Sequence, residues 1–410
     1  MLKVLQINTE MGSGSTGRIA CQINELAEMK GWETYSASNR GIGINPSHHI
    51  KIGNSIDTLY HTFYSILLDK HGLASTRSTK KFLKILEEIK PDIIHLHNIH
   101  GFYLNYPILF TWLKNWNKPV VWTLHDCWPF TGHCSHYACA NCNKWRTGCF
   151  NCPLKKDYPT SLLLDHSKEN YQYKKKYFLS LQKLTLVPVS SWLKKDLEAS
   201  FFSNIPIKLI RNGIDVNDFY PMNCTSQIKG KFGLTTSKKI LLGVASFWNK
   251  RKGLFDYIKL SNLLPKEYQI ILVGLRPKQI KKLPKNIIGL ERTKNINELA
   301  ALYSAAEIVM NLSYQETFGL TTIEGFACGT PSIVYNCTAS PELVTKETGL
   351  IVEPGDIKST IDAIKTITNN GKKFYSKSCI ARTHTHFDQT NNFLQYIDLY
   401  NKLVKEDNFK

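Results

Sequence analysis

The sequence predicts an α/β protein made of two doubly wound domains in series, and three observations support this class. Short β-rich runs alternate with helical patterns along the whole chain, which is typical of parallel sheets covered by helices. The chain has 410 residues, which is long for one core and suits two domains of roughly 200 residues each. Its composition, 42% hydrophobic and 21% charged, is ordinary for a globular protein.

The predicted strands are apolar on both faces, as strands buried in a parallel sheet must be. In the first half they are Lys3–Asn8, Asp92–Leu96, Val120–Leu124 and Leu184–Val189. In the second half they are Lys239–Ala245, Gln269–Val273, Glu307–Asn311 and Ser332–Tyr335. Helices are predicted between them at Gly17–Lys30, Lys80–Lys90, Leu104–Asn115, Gly253–Leu264, Ile296–Ala305 and Leu320–Cys328. Such sheets bind ligands beyond the carboxyl ends of their strands, so we expect the active site in a cleft between the domains.

A turn-rich segment at Arg211–Asp215, followed by Pro221, indicates the domain boundary near the midpoint. We expect a first domain at 1–210 with a cysteine-rich insertion at 127–153, and a second domain at 211–385. The remaining segment, 386–410, contains a helical pattern over Asn391–Val404. We expect this last helix to pack back on the first domain.

The charge balance favours an anionic partner. Lys and Arg number 52 against 33 Asp and Glu, a formal net charge of +19, which suits a phosphate-bearing substrate, an anionic membrane surface or nucleic acid. The first residues lack the basic leader and cleavage site of a signal peptide. No stretch approaches the ~18 to 20 apolar residues that span a bilayer. We therefore expect a cytoplasmic protein whose cysteines stay reduced.

The most informative motif extends from Glu316 to Glu324, between a predicted strand and a predicted helix. Gly319 opens that helix, and the first N–H groups of a helix attract anions because they lack intrahelical partners. The two carboxylates suit hydrogen bonds from sugar hydroxyls, because an ionised Glu only accepts. The alternative is an ordinary helix start, at which acidic residues favour the macrodipole.

Three further strand ends carry candidate residues. Lys250, Arg251 and Lys252 precede Gly253 in a basic loop between a strand and a helix, which suits a pyrophosphate or, alternatively, is a solvated turn. A glycine-rich turn over residues 12–17 follows the first strand but does not fit the dinucleotide-binding fingerprint. His125 ends another strand, where residues of a cleft belong, although a structural histidine is the alternative. His95 and His97 also end a strand, and we expect cleft-lining or packing roles for them.

Six of the eleven cysteines lie between Cys127 and Cys152. Two C-x-x-C pairs, Cys139 with Cys142 and Cys149 with Cys152, together with the nearby His133 and His136, suit a tetrahedral structural zinc in a reduced compartment. Free cysteines that pack a loop are the alternative, and an iron–sulfur cluster is a further one.

The segment from Glu316 to Glu324 resembles the Glu-x7-Glu motif of the retaining glycosyltransferases of family 4, which have the GT-B fold of two Rossmann-like domains facing across a cleft. The following Gly329-Thr330-Pro331 resembles the Gly-x-Pro strand entry after that motif. The resemblance implies that Glu316 contacts the donor sugar and that Glu324 holds the ribose. It implies backbone contacts to the donor from Phe318, Gly319 and Leu320.

The resemblance extends to the other strand ends. Lys252 before Gly253 matches the phosphate-binding lysine of the family, and Ser246 stands where the family usually has an arginine, so that Arg251 or Lys250 substitutes for it. Gly14 and Gly17 resemble the glycine-rich loop that faces the donor phosphates. His125 matches the histidine that contacts the donor sugar near the reacting carbon.

A subset of the family resembles the cysteine-rich insertion. By that likeness the zinc ligands are Cys134, Cys142, Cys149 and Cys152, and Cys139 is a spare cysteine.

These expectations define one enzyme. It is a retaining glycosyltransferase that moves a sugar from a UDP- or GDP-sugar to a glycan acceptor in surface polysaccharide biosynthesis. We expect this acceptor to be lipid-linked. The enzyme has a structural zinc and no catalytic divalent metal, because no Asp-x-Asp motif stands in the donor region. Lys168–Tyr177 and the apolar stretch Leu59–Leu68 suggest peripheral contact with an anionic membrane, although a solvated helix face is the commoner meaning of such a basic cluster.

Two rival functions remain. A zinc-containing nucleic-acid-binding protein fits the charge and the cysteines but leaves Glu316–Glu324 unexplained and requires a concentrated basic face. A sugar-nucleotide-processing enzyme of the same fold, an epimerase or a phosphorylase, is the nearer rival. We expect no nucleic-acid partner.

Overall fold

The structure is a computed structural model that describes residues 1–409. It divides into two compact units, the first made of Met1–Arg211 with the chain from Phe393 onward, and the second of Asn212–Asn392. Each unit contains one six-stranded parallel sheet with helices around it. The predicted α/β class with two doubly wound sheets is confirmed.

The first unit contains a sheet with the strand order of a dinucleotide-binding domain. Its strands are β1 (Lys3–Ile7), β2 (Glu10–Met11), β3 (Glu33–Ser38), β4 (Arg40–Gly41), β5 (His49–Lys51), β6 (Ile93–Leu96), β7 (Val120–Leu124) and β8 (Leu184–Pro188). Its helices are α1 (Gly14–Met29), α2 (Ser55–Leu68), α3 (Thr76–Ile89), α4 (Tyr106–Trp116), α5 (Ser167–Phe178) and α6 (Ser191–Glu198). The sheet order is β5-β3-β1-β6-β7-β8, and β2 pairs with β4 separately.

The second unit repeats this topology. Its strands are β9 (Lys239–Val244), β10 (Tyr268–Val273), β11 (Ile287–Leu290), β12 (Ile308–Asn311), β13 (Ser332–Tyr335) and β14 (Gly349–Val352). Its helices are α7 (Thr225–Lys231), α8 (Leu254–Leu263), α9 (Pro277–Ile280), α10 (Ile296–Ala305), α11 (Leu320–Ala327), α12 (Ile357–Asn370) and α13 (Lys372–His386). The sheet order is β11-β10-β9-β12-β13-β14.

The order of each sheet determines which loops meet. In the second unit the chain leaves β9 toward β10 and β11, then returns to pair β12 on the other side of β9. The loops that follow β9 and β12 therefore meet at the topological switch point, where doubly wound sheets bind ligands. Those loops carry Lys252 and Glu316.

The last helix, α14 (Gln389–Asn408), contributes to the core of the first unit. Its side chains Phe393, Tyr396, Ile397 and Tyr400 pack in one cluster with residues of β1, β6 and β7. None of the described helices combines the length and the apolarity needed to cross a membrane.

The strands that the sequence did not predict are at the sheet edges or next to them. β3 and β5 carry polar residues, and the short β11 and β14 are only partly buried. β3 and β5 therefore lack the continuous apolar run of the central strands. β11 and β14 are apolar, but each contains a glycine, which weakens the pattern of a strand.

Candidate functional site

In the second unit, the loop after β9 (residues 245–253) is bonded to the loop after β12 (residues 312–319). The backbone N–H of Tyr314 donates to the carbonyl oxygen of Arg251 over 2.8 Å. The Arg251 guanidinium in turn donates through Nη1 to the carbonyl oxygen of Gln315 over 2.9 Å. These bonds hold the basic loop and the acidic loop side by side.

Gly253 permits this close approach. Its φ is +73°, a conformation that favours glycine, and a Cβ atom at this position would stand 2.1 Å from the carbonyl oxygen of Leu312. Gly253 also lies immediately before α8. The chain therefore needs glycine here both for its backbone conformation and for the contact between the two loops.

Lys252 and Glu316 form an ion pair across these loops. Lys252 Nζ lies 2.5 Å from Glu316 Oε1, and the two side chains are only 18% and 12% exposed. Burial lowers the pKa of Lys252, against the opposing effect of Glu316. Burial opposes ionisation of Glu316, but the charges of Lys252 and Arg251 outweigh it and lower the pKa of that carboxyl. The site thus holds two cationic side chains beside one carboxylate.

Two polar residues that the sequence did not identify orient this pair. The backbone N–H of Glu316 donates to Thr338 Oγ1 over 2.9 Å, and the backbone N–H of Lys252 donates to Asn249 Oδ1 over 3.0 Å. Thr338 lies shortly after β13, the strand beside β12, so its position after a predicted strand was the available signal. Asn249 lies within the basic loop itself.

Helix α11 begins at the predicted donor motif. Gly319 precedes it with a φ of +107°, Leu320 is its first residue, and Phe318 is buried against Phe387. Glu324, 8% exposed, accepts a 2.6 Å hydrogen bond from the hydroxyl of Tyr303 on α10. The two carboxylates of the motif therefore have different partners, Lys252 for Glu316 and Tyr303 for Glu324.

In the first unit the two candidate glycines lie in the first turns of α1 and differ in their surroundings. Gly14 is exposed, has a φ of +64° and has open space where a Cβ would stand. Gly17 is buried, and a Cβ there would stand 2.7 Å from the carbonyl oxygen of Glu10. Close packing thus accounts for glycine at position 17, whereas position 14 keeps an open helix start.

His125 follows β7 and is half-buried. Its Nε2 lies 3.0 Å from Nδ1 of the fully buried His97. Burial lowers the pKa of His125 to about 4, although Asp126 acts in the opposite direction. Asp126 is itself paired with His100 at 2.9 Å. At neutral pH His125 is therefore an uncharged imidazole.

The four cysteines predicted as zinc ligands line one small cavity of the insertion: Cys134, Cys142, Cys149 and Cys152. The thiols of Cys134 and Cys152 share a hydrogen bond, and the Cys149 sulfur accepts from the backbone N–H of Gly132 over 3.1 Å. His133 Nδ1 contacts Asp69 instead. Within residues 1–409, no group of three or more His, Cys, Asp or Glu side chains is arranged to hold a metal ion. The structure thus brings the four cysteines together without showing a metal-binding geometry.

Comparison with known proteins gives matches in both units. A family model described as Glycosyltransferase Family 4 matches residues 46–218, and one described as Glycosyl transferases group 1 matches residues 238–370. The putative colanic acid biosynthesis glycosyl transferase WcaC of Escherichia coli is 25% identical over 52% of this chain and 55% of its own length. The match thus spans about half the length of that relative. The O-antigen chain mannosyltransferase RfbU of Salmonella typhimurium is 27% identical over 73% of this chain and 88% of its own.

Among solved structures, HepE of Anabaena in complex with UDP-glucose superposes with a TM-score of 0.67. The match covers 98% of this chain and 100% of that chain at 16% identity. At that identity the likeness shows the fold alone, and it confirms the predicted GT-B class.

Proposed function

Because this chain belongs to glycosyltransferase family 4, we propose that it transfers a sugar from a nucleoside-diphosphate sugar to a glycan acceptor in surface polysaccharide biosynthesis. The observation that carries the proposal is the buried Lys252–Glu316 pair at the switch point of the second sheet. It puts a group suited to phosphate beside a group suited to sugar hydroxyls. WcaC and RfbU, named for colanic acid and O-antigen synthesis, support the class of acceptor.

In the proposed donor complex, Lys252 and Arg251 bind the diphosphate together with backbone N–H groups at the start of α8 and α11. Glu316 accepts hydrogen bonds from sugar hydroxyls, and Glu324 accepts from the ribose. Gly14 and Gly17 contribute N–H groups of the first unit. The complex of HepE with UDP-glucose supports a nucleotide-sugar donor.

The chemical step requires stabilisation of the departing diphosphate. Charge develops on its oxygens as the bond to the sugar breaks, and fixed positive groups stabilise that charge without reorganising. We propose that Lys252 and Arg251 supply this charge, so that no catalytic divalent metal is needed, and that the anomeric configuration is retained. His125 contacts the sugar. The anomeric configuration of the product, read by NMR, tests retention.

The experiment that tests the donor site compares two neighbouring lysines. Lys252→Ala removes the buried, paired cation, whereas Lys250→Ala removes an exposed one on the same loop. A ligand raises stability by RT ln(1 + [L]/Kd), so a panel of UDP- and GDP-sugars identifies the donor by thermal shift. We expect the shift and the transfer activity to disappear in Lys252→Ala and to persist in Lys250→Ala. Equal behaviour of the two variants would refute the site.

We further propose that α2 brings the first unit to an anionic membrane bearing a lipid-linked acceptor. Ile56, Leu59, Tyr60 and Phe63 are spaced as one helix face and are each between 61% and 77% exposed. The exposed Leu162–164 segment lies beside the end of α2, since the N–H of Leu162 donates to the Ile66 carbonyl over 2.8 Å.

The basic cluster on α5 contributes less to such a surface than the sequence suggests. Lys174 is 1% exposed and donates to the carbonyl oxygens of Trp128 and Thr131, and Tyr171 is also buried. These two residues stabilise the fold and do not reach a lipid headgroup.

Vesicle flotation tests the membrane proposal. The double variant Leu59→Ser and Phe63→Ser should lose binding to vesicles that contain anionic lipid, while Phe374→Ser, 67% exposed on α13 of the second unit, should keep it. Absence of binding by the unaltered protein would remove the proposal.

A structural zinc at Cys134, Cys142, Cys149 and Cys152 is the last part of the proposal. It is supported by the shared cavity and by the chemistry of thiolate ligands, which zinc prefers in closed sites. Cys149→Ser should lower both the zinc content and the melting temperature, whereas Cys139→Ser, on the exposed side of the insertion, should change neither. Reduced protein purified without measurable zinc would contradict this part.

A further inference from the structure

A chain of buried polar side chains leads to His125 in the first unit. Its members lie on β1, on β6 and just after it, on β7 and on α14, and each is at most 1% exposed: Gln6, His95, His97, Thr123, Tyr396 and Tyr400. They continue the face on which Val4, Ile93 and Val121 pack against α14. Polar groups destabilise a core unless they are hydrogen-bonded. The hydrogen-bond partners of these six side chains therefore determine which of their atoms carry protons.

The hydrogen bonds begin at the amide of Gln6. Gln6 Oε1 lies 2.5 Å from His97 Nε2, and His97 Nδ1 lies 3.0 Å from His125 Nε2. On its other side, Gln6 Nε2 donates to the Tyr400 hydroxyl over 3.3 Å. Gln6 therefore connects His125 to the C-terminal helix.

The protons on this chain follow from elementary hydrogen-bond chemistry. An amide oxygen only accepts, so His97 Nε2 carries a proton. Burial, with His95 and His125 nearby, lowers the pKa of His97 well below its ordinary value, so this ring is neutral and its Nδ1 has no proton. The bond between the two rings then requires His125 Nε2 to donate. Because His125 is also neutral, its Nδ1 carries a lone pair.

The remaining hydrogen bonds among these buried side chains have a consistent donor-to-acceptor direction. The Tyr400 hydroxyl accepts from Gln6 and donates to His95 Nδ1 over 2.5 Å, and His95 Nε2 donates to Thr123 Oγ1 over 2.7 Å. Thr123 then donates to the hydroxyl of Tyr396 over 3.1 Å. Each donor has one acceptor. The orientation of the Gln6 amide sets this direction, because its nitrogen only donates and its oxygen only accepts, whereas each hydroxyl and each neutral imidazole can do both. The opposite orientation of the amide would reverse every hydrogen bond and move the proton of His125 to Nδ1.

We propose that Gln6, acting through His97, is a positioning residue that holds His125 as its Nε2–H tautomer, so that His125 serves the donor sugar as a hydrogen-bond acceptor through Nδ1. The role toward the sugar rests on the proposed function. The tautomer does not.

Ring-nitrogen NMR of the full chain labelled with [15N]histidine tests the tautomer directly. The protonated and unprotonated nitrogens of a neutral imidazole differ widely in chemical shift, and the signals of His125 are assigned by their loss in His125→Gln. We expect Nε2 of His125 to carry the proton at pH 7. A proton on Nδ1 would overturn the proposal. Because this measurement needs neither donor nor acceptor, its outcome is separate from that of the transfer assay.

A variant pair tests the part played by Gln6. Gln6→Leu removes the fixed acceptor, and we expect His125 to become a mixture of tautomers and kcat/KM for sugar transfer to fall roughly tenfold, the effect of about one hydrogen bond. Tyr396→Phe removes only the last hydroxyl of this hydrogen-bonded series and should leave the His125 tautomer and kcat/KM unchanged. A His125 tautomer unaffected by Gln6→Leu would show that Gln6 does not set it. If Gln6→Leu fails to fold, the spectrum of the unaltered protein still decides the tautomer.

Discussion

Replacing Gly253 by alanine should separate the two loops that form the proposed donor site. The added Cβ would stand 2.1 Å from the carbonyl oxygen of Leu312, and the backbone atom of a neighbouring strand end has little freedom to retreat. The loop after β9 must therefore move away from the loop after β12. That movement breaks two hydrogen bonds, from the N–H of Tyr314 to the carbonyl oxygen of Arg251 and from the Arg251 guanidinium to the carbonyl oxygen of Gln315.

The expected magnitude has two parts. A non-glycine residue in the left-handed conformation costs about 1 to 2 kcal/mol. The two lost hydrogen bonds add about 1 kcal/mol each. The total of about 3 to 4 kcal/mol, at roughly 2 to 4 °C for each kcal/mol in a unit of this size, lowers the melting temperature of the second unit by about 10 °C.

Gly233 provides the matched control, because it lies in the same unit with a φ of +62° and no atom within 4 Å of its Cβ position. Gly233→Ala carries only the conformational cost, about 1 to 2 kcal/mol. Calorimetric unfolding and titration with the nucleotide sugar should show a larger loss of stability in Gly253→Ala and a loss of donor binding there alone. Similar losses in both variants, with donor binding intact, would refute the idea that this glycine joins the loops.

Three other predictions concern charge and buried hydrogen bonds. Glu316→Gln should lower the free energy of unfolding by about 3 to 5 kcal/mol, because it leaves the buried Lys252 without its counter-ion, and chemical denaturation measures this loss. Tyr303→Phe should destabilise the chain by about 1 to 3 kcal/mol, because Glu324 loses its 2.6 Å donor. The same change should weaken nucleotide-sugar affinity in calorimetric titration. Unchanged affinity would contradict the proposed contact between Glu324 and the ribose. Stability should fall as the pH decreases below about 6.5, because burial lowers the folded-state pKa of His61 to about 3 and of His125 to about 4. The unfolded chain then binds more protons than the folded one, at up to about 1.4 kcal/mol per pH unit for each histidine, and tryptophan fluorescence in urea at pH 7 and pH 5 checks the sign.

Two residues that the sequence predicted for the proposed site lie together in the structure. Lys252 and Glu316 were predicted from the loops that carry them, and the structure pairs them across 64 positions of the chain. Their roles toward a donor stay predictions. Asn249 and Thr338 were missed, because a position in a loop or after a strand does not distinguish a residue that orients a neighbour from one that faces solvent.

The insertion shows a different limit. Its cysteine spacing indicated zinc, and the structure places the four cysteines implied by the family resemblance around one cavity without a metal-binding geometry. The spacing of cysteines in the sequence shows only which candidate ligands are close along the chain. The angles and distances that a metal requires depend on how the loop packs, here through Asp69, Asp165 and Lys174 on other segments.

By itself, the sequence determined the class of the fold, and it predicted which residues at the strand ends form the site. Strands apolar on both faces require cover on both sides, and polar residues at their ends can only belong to loops at a sheet edge. The tertiary structure decided which of those ends are neighbours. Gln6 meets Tyr400 across 394 positions, and no local pattern encodes such a contact, because it depends on the strand order and on the packing of the last helix.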